Sequence, residues 1–368
     1  MSDTPLTRLA AEDDETRKTN GTLHTPGEIL QQPWLWRDTA GRASALAEKA
    51  ANLFKGADFA LFAGAGSSLH AGRMIEDAAR NRFGASVGTV SCTDLMLSPD
   101  AYVPKGRRGV LFSLSRSGES PEAVEAARIV AERFPDVAHV AITCNSNGKL
   151  AKLVEGHPKG LCLVLHEKSY DRGIGTTSSM TCTVVAGRVL ADPSSATRVD
   201  GLAKAGEEIL AQAERAERAA ARKPERVVVL GTGPLEAAAQ EGAHKILELT
   251  DGQVASMARS YLEFRHGPIS FLNEKTLLLS LVSPDPLIRR YEMDFIGGTS
   301  GMGVQTAETV DSSSLSAGEA AIVGTVYAQM LALFVSLHRG LKPDRPGGRG
   351  LVNPIVKGVT IYPRKETP

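Results

Sequence analysis

One arrangement recurs along this chain and restricts its fold more than any other. A short apolar run leads into a turn of glycines and small polar residues, and a helical pattern follows. It occurs in DFALFAGAGSSLHAGRMIEDAAR (58–80), GVLFSLSRSGESPEAVEAARIVAERF (109–134), HVAITCNSNGKLAKL (139–153) and LCLVLHEKSYDRGIGTTSSMTCTVVAGRVL (161–190). Strands that alternate with helices in this way predict a parallel sheet covered on both faces. The theme restarts at RVVVLGTGPLEAAAQEGAHKILEL (226–249), and GAG at Gly64–Gly66 and GTG at Gly231–Gly233 hold equivalent places. The pattern therefore predicts two copies of one α/β unit. A length of 368 residues fits that, since a domain takes roughly 150.

The boundaries follow from composition. Residues 1–24 are charged and polar and read as a tail; Thr25-Pro26 with Glu28 reads as a helix start capped by threonine. The first unit, with N-terminal helices, is expected over 25–200, an exposed Ala/Glu-rich connecting helix over 201–222, the second unit over 223–342 and a tail over 343–368. TLLLSLVS (276–283) reads as a strand and YEMDFI (291–296) as a helix. The stretch 297–318 is rich in Gly, Ser and Thr and reads as a mobile loop. A last helix is expected up to Gly340.

Composition excludes several classes. A formal net charge of +0 lacks the footprint of a nucleic-acid or anionic-membrane binder. Cys92, Cys144, Cys162 and Cys182 form no CxxC pair, which disfavours a disulfide framework and suits a reducing cytoplasm. The N-terminus lacks the apolar segment of a signal peptide, and the apolar run Val326–Leu337 is too short to span a bilayer. HEKSY (166–170) has Tyr170 where HExxH needs its second histidine, so neither a metal nor a cofactor is expected. Neither glycine turn completes GxGxxG: Leu69 and Glu236 stand at the third position.

SRSGES (115–120) falls between a strand and a helix, as do Ser67 and Ser68 in the first turn. Backbone N–H groups at a helix start, the helix dipole and several hydroxyls suit a phosphate monoester. Open α/β sheets bind ligands at their strands' carboxyl ends, where two such turns converge. Taken singly, such turns are as often plain caps. In the helix after GTG, Glu241, Lys245 and Glu248 lie within about 60° of arc at about 100° per residue, with His244 beside them. For an isolated helix a solvated charged face is the usual reading; beyond a glycine turn, a carboxylate can shuttle a proton between sugar carbons. His266, in the loop Arg265-His266-Gly267-Pro268, suits proton transfer in ring opening, or a local hydrogen bond. By pattern alone, Lys357 is a surface lysine.

Taken together, GAGSS, LSRSGES, EGAHKILEL, EFRHGP and the late lysine of NPIVKGVTIYP resemble sugar isomerase (SIS) domain proteins. QQPWLW, CTDLMLSPDAY, ITCNSNG and DRGIGTTSS narrow the resemblance to the tagatose-6-phosphate ketose/aldose isomerase family, regarded as galactosamine-6-phosphate deaminase/isomerases. It runs from about Gly21 to Pro363. It implies two tandem SIS domains, each a flavodoxin-like, doubly wound parallel sheet flanked by helices. Between Phe295 and Glu319 the chain is shorter than the family pattern by about a strand and a helix.

The resemblance also implies roles. Gly66, Ser67, Ser68, Ser115, Arg116, Ser117 and Ser120 would hold the sugar phosphate, with Arg116 where the related glucosamine-6-phosphate synthase has glutamine. Glu248 would carry the proton between C2 and C1, and Lys245 would support it electrostatically. His266 would assist ring opening, supplied by a neighbouring subunit of a homodimer with shared sites. Lys357 would approach the open-chain sugar; Thr177, Ser178 and Arg265 match further substrate contacts. The expected reaction turns D-galactosamine 6-phosphate into D-tagatose 6-phosphate and ammonia. The synthase's glutaminase domain has an N-terminal cysteine, and no cysteine precedes Cys92 here, which favours the deaminating direction. The alternatives are plain phosphosugar isomerisation, glucosamine-6-phosphate deamination and, from another class, a sugar-phosphate sensor. No nucleic-acid or membrane partner is expected.

Overall fold

The computed structural model describes residues 3–84, 86–347 and 359–362. Five helices precede the first strand: α1 (Pro5–Ala11), α2 (Asp14–Asn20), α3 (Thr25–Leu30), α4 (Gln32–Ala45) and α5 (Ala47–Leu53). The region expected to be a polar tail thus carries two helices. Their caps account for them: the Thr4 hydroxyl accepts from Thr7 N, and the Asp13 carboxylate from Glu15 N and Thr16 N. Thr25 is not a cap. It lies inside α3, and its hydroxyl donates to Asp344 at 2.6 Å.

The first sheet has five parallel strands, β1 (Phe59–Gly64), β2 (Val87–Ser91), β3 (Gly109–Leu114), β4 (Val137–Thr143) and β5 (Gly160–Val164). Their order is β2-β1-β3-β4-β5. Helix α6 (Ser67–Phe83) follows β1, α7 (Cys92–Leu97) and α8 (Pro99–Tyr102) follow β2, α9 (Pro121–Arg133) follows β3, α10 (Lys149–Glu155) follows β4 and α11 (Ser178–Ala191) follows β5. The connection to the second unit is two helices, α12 (Val199–Leu210) and α13 (Ala213–Ala221). It is not simply exposed: Leu202, Ala203, Ile209, Ala213 and Ala216 are buried, at the 3–4-residue spacing that puts them on one face.

The second sheet repeats the first. Strands β6 (Arg226–Leu230), β7 (Ala255–Arg259), β8 (Thr276–Val282) and β9 (Thr306–Asp311) are parallel in the order β7-β6-β8-β9. Helix α14 (Pro234–Leu249) follows β6, α15 (Tyr261–Phe264) follows β7, α16 (Pro286–Gly298) follows β8 and α17 (Ala317–His338) follows β9. Where the first unit has α10 and β5 between β4 and α11, the second runs from β9 directly to α17. The stretch expected to be a mobile loop contains β9, whose register on β8 pairs Leu277 with Thr306 and Val282 with Asp311. An edge strand needs only one apolar face, so its alternating TAETVD hides in a Thr/Ser-rich context.

The duplication reaches the backbone. Gly66 (φ 56°, ψ −128°) and Gly233 (φ 62°, ψ −127°) open α6 and α14 in one left-handed conformation that side chains rarely adopt. Gly64 ends β1 and Gly231 directly follows β6, each against the first turn of the next helix. A Cβ there would lie 2.4 Å from the Ser68 carbonyl carbon and 2.3 Å from the Leu235 carbonyl oxygen. α17 is apolar all round and long enough to cross a membrane, yet residues 318–336 are buried within the fold. One apolar cluster runs through α6, α11, α14 and α17 and joins the two sheets. That junction sets α14 against α6.

Candidate active site

In the first sheet the chain reverses its winding between β1 and β3, and at such a point the carboxyl ends of two neighbouring strands open a crevice. GAGSS leaves β1 there and SRSGES leaves β3. Ser67 is the first residue of the 17-residue α6, and Ser120 precedes α9, so both turns offer helix N-termini to the crevice. The second turn is rigidly held. Gly118 N donates to Ser115 Oγ and Glu119 N to Ser117 Oγ, each at 3.2 Å, and Asn145 Nδ2 donates to the Ser117 carbonyl at 2.9 Å. Each hydroxyl that accepts in this way still has its own hydrogen to donate. The Arg116 guanidinium donates to the Asp171 carbonyl at 3.4 Å and lies 5.5 Å from the Tyr170 ring centroid.

Across the crevice, α14 presents its charged stripe to the first unit. The Lys245 ammonium touches Glu248 Oε2 and forms a 3.4 Å ion pair with Glu241 Oε1; Lys245 and Glu241 are both fully buried. It also donates to Thr176 Oγ1 at 3.3 Å. His70 of α6 meets Glu241 Oε2 through Nδ1 at 2.8 Å, and His244 Nε2 meets Glu248 Oε1 at 2.9 Å. The electrostatics favour ionised partners. Burial works to raise the Glu248 carboxyl, but the Lys245 ammonium and the His244 hydrogen bond outweigh it and hold it at about 2. Burial likewise opposes the charged form of Lys245, and Glu241 with Glu248 overrides it, raising its pKa. For Glu241, burial is again overcome, by Lys245 and His70. Burial lowers His244, yet Glu248 lifts it above its ordinary value. The result is an ionised carboxylate beside serine-rich anion turns, the parts that proton transfer on a phosphorylated substrate requires.

No family model matches the chain. It is 33% identical to the D-galactosamine-6-phosphate deaminase AgaS of Shewanella sp. ANA-3, across 93% of this chain and 92% of that one. It is 31% identical to the AgaS of Escherichia coli, across 92% and 95%. The chain belongs to the AgaS family. Among solved structures, the tagatose-6-phosphate ketose/aldose isomerase of Escherichia coli matches this AgaS-family chain with a TM-score of 0.81 and 28% identity, over 89% of this chain and 96% of that one. The C-terminal domain of the Francisella tularensis glucosamine-fructose-6-phosphate aminotransferase shares the fold, at TM-score 0.76 and 17% identity over 88% and 98%. The two parallel sheets of this AgaS-family member are tandem SIS domains.

Of the residues singled out in the sequence, Gly66, Ser67, Ser68, Ser115, Arg116, Ser117 and Ser120 lie on the two turns, and Lys245 and Glu248 form the cluster opposite. Thr177 and Ser178 are fully buried, and their hydroxyls donate at 3.0 and 2.6 Å to Asp171, whose carboxylate caps the start of α11 by accepting from their backbone N–H groups. Arg265 and His266 are exposed beyond α15. The Arg265 guanidinium covers the Phe295 ring at 5.0 Å, and no contact among the described residues joins His266 to Glu248. Lys357 lies outside the described residues. His166, from the near-miss HEKSY, caps a local turn by accepting from Lys168 N at 3.1 Å.

Three groups in this AgaS-family site were not singled out from the sequence: His70, Thr176 and Asp171. The signal for His70 was its place one helical turn beyond Ser67, toward the crevice. For Thr176 and Asp171 it was the hydroxyl-rich DRGIGTTSS itself.

Proposed function

We propose that this protein is a deaminating aldose–ketose isomerase that converts D-galactosamine 6-phosphate to D-tagatose 6-phosphate and ammonia. The observation that carries the reading is the ionised, half-enclosed Glu248 held by Lys245 across the crevice from the serine turns. The AgaS relatives, named as deaminases of this substrate, support it. Ser67, Ser68, Ser115, Ser117, Ser120 and Arg116 bind the phosphate. In the ring-opened sugar, the C2 proton passes to Glu248 and the C2 amine gains enamine character. Returning the proton to C1 leaves an imine at C2; water adds to that carbon, and its C–N bond breaks to release ammonia. A carboxylate at about 2 is a weak base, so the Lys245 contact loosens as the proton arrives. The positive charge the pair gains is balanced by the negative charge left on the substrate when C2 loses its proton.

His266 serves ring opening from a neighbouring subunit, which makes the working unit a homodimer. Its exposure on the free chain surface agrees with donation outward. Lys357 reaches the open-chain sugar from the C-terminal segment. The setting we infer is N-acetylgalactosamine breakdown in the cytoplasm.

The deciding experiment measures ammonia released by the purified protein from galactosamine 6-phosphate and from glucosamine 6-phosphate. Release from the galacto sugar alone is expected. Release from the gluco sugar would overturn the epimer, and tight binding of either without release would turn the reading to a sensor. Replacing Glu248 by Gln should lower kcat by about 10²-fold or more; near wild-type turnover would remove Glu248 from the mechanism.

A further inference from the structure

An ammonium group has three hydrogens to donate and nothing with which to accept. In this structure Nζ of Lys245 has three oxygen neighbours: Glu248 Oε2, Glu241 Oε1 at 3.4 Å and Thr176 Oγ1 at 3.3 Å. Towards Lys245 the Thr176 hydroxyl can therefore act only as acceptor. Its own hydrogen goes to Ser67 Oγ, 2.7 Å away. Ser67 in turn accepts, so its hydrogen points to whatever fills the turn between β1 and α6. The direction of the chain is dictated end to end: Lys245 to Thr176 to Ser67 to ligand.

The neighbours of Thr176 sharpen its role. Thr177, Ser178 and Ser179 give both their backbone N–H and their hydroxyl hydrogens to the buried Asp171 carboxylate, at 2.5 to 3.0 Å. Of the four consecutive hydroxyl residues, three are consumed by that cap. The fourth, half-buried, is left facing Lys245, on backbone that the cap immobilises.

We propose that Thr176 is a positioning residue for the deaminating isomerisation, holding the Lys245 ammonium against Glu248 while aiming the Ser67 hydroxyl at the substrate phosphate. One threonine thereby registers the two ends of the substrate against each other, the phosphate at the serine turn and C1–C2 at the carboxylate. The inference rests on the reading of Glu248 and Ser67 given above. The charged and titratable groups around it are Glu241, His244 and Glu248 on α14 and His70 on α6.

The test has two arms. Thr176→Val keeps shape and removes the hydroxyl. Loss of a hydrogen bond to a charged group should lower kcat about tenfold or more, with KM changed less than about threefold. The alkaline limb of the kcat profile should move to lower pH, because the ammonium loses an acceptor that favours its charged form. Thr176→Ser should restore kcat to within about threefold and return the limb. A valine variant within about twofold of wild type, or a folded serine variant that restores nothing, would overturn the proposal. The second arm needs no turnover: the affinity for inorganic phosphate, by calorimetry, in wild type, Ser67→Ala, Thr176→Val and the double variant. The chain predicts non-additive effects by at least about threefold in Kd, and additivity overturns it. If valine unfolds the protein, Thr176→Ala replaces it in both arms. Ammonia release by the wild type with an additive phosphate cycle would sink this inference and keep the functional reading. Silence from the wild type would overturn the functional reading and this role for Thr176 with it, whatever the phosphate cycle shows.

Discussion

Glu28 shows how far one side chain's surroundings can move its chemistry. In α3, its Oε1 accepts from Arg172 N at 2.5 Å and Gly173 N at 3.3 Å, and it is 8% exposed. Burial above all, and the nearby Asp171 and Asp344 carboxylates, push its carboxyl up to about 8. An acid raised in the folded state is protonated there while the unfolded chain has already lost the proton. Its contribution to stability is full below about 4.5 and is lost as pH climbs to about 8. Each pH unit in that window costs roughly 1.4 kcal/mol. Glu28→Gln, which cannot ionise, should gain on wild type in melting temperature steadily from pH 5 to pH 8. A pH-independent gap would contradict the raised carboxyl. The residue scale also explains what was legible. Glu248 and Lys245 stand three apart on one helix, so periodicity alone pairs them. His70 finds Glu241 across 171 residues, and local spacing carries no trace of that contact.

At the scale of elements, α11 is a buried helix whose entrance depends on one carboxylate. Asp171 is 1% exposed and takes six hydrogen bonds from Thr177, Ser178 and Ser179. An asparagine offers a single acceptor oxygen and introduces two donors where only donors surround it. Asp171→Asn should lower stability by about 3 kcal/mol, from the lost charged hydrogen bonds and the orphaned buried hydroxyls. Equilibrium denaturation would measure it, and a change below about 0.5 kcal/mol would show that the cap is dispensable. The central strands β1, β3, β4, β6 and β8 were legible because both faces are buried and the runs are continuously apolar. The edge strands β2, β7 and β9 were not, since VGTVS, ASMAR and TAETVD mix small and polar residues. The N-terminal helices escaped because their polar composition resembles a tail, while Leu6 and their caps do the anchoring.

At the scale of the whole molecule, the crevice between the two halves takes its serine turns from one and its charged stripe from the other. If His266 completes a neighbour's site, two dead variants can rescue each other. Random pairing of Glu248→Gln with His266→Ala chains leaves one intact site in each mixed dimer, so activity should recover to about a quarter of wild type. No recovery, with mixed dimers shown to form, would place ring opening elsewhere. By itself, the sequence determined the alternation of strands and helices, the doubled glycine turns, the serine turns and the stripe on α14. Those are local regularities of turn sterics, period and capping, written within a few residues of one another. Tertiary structure decided that α14 packs on α6, that His70 and Thr176 reach its stripe, and that the Thr177 and Ser178 hydroxyls donate to Asp171. Such pairings depend on which faces a shared core brings together, and burial then sets the ionisation of the groups it encloses.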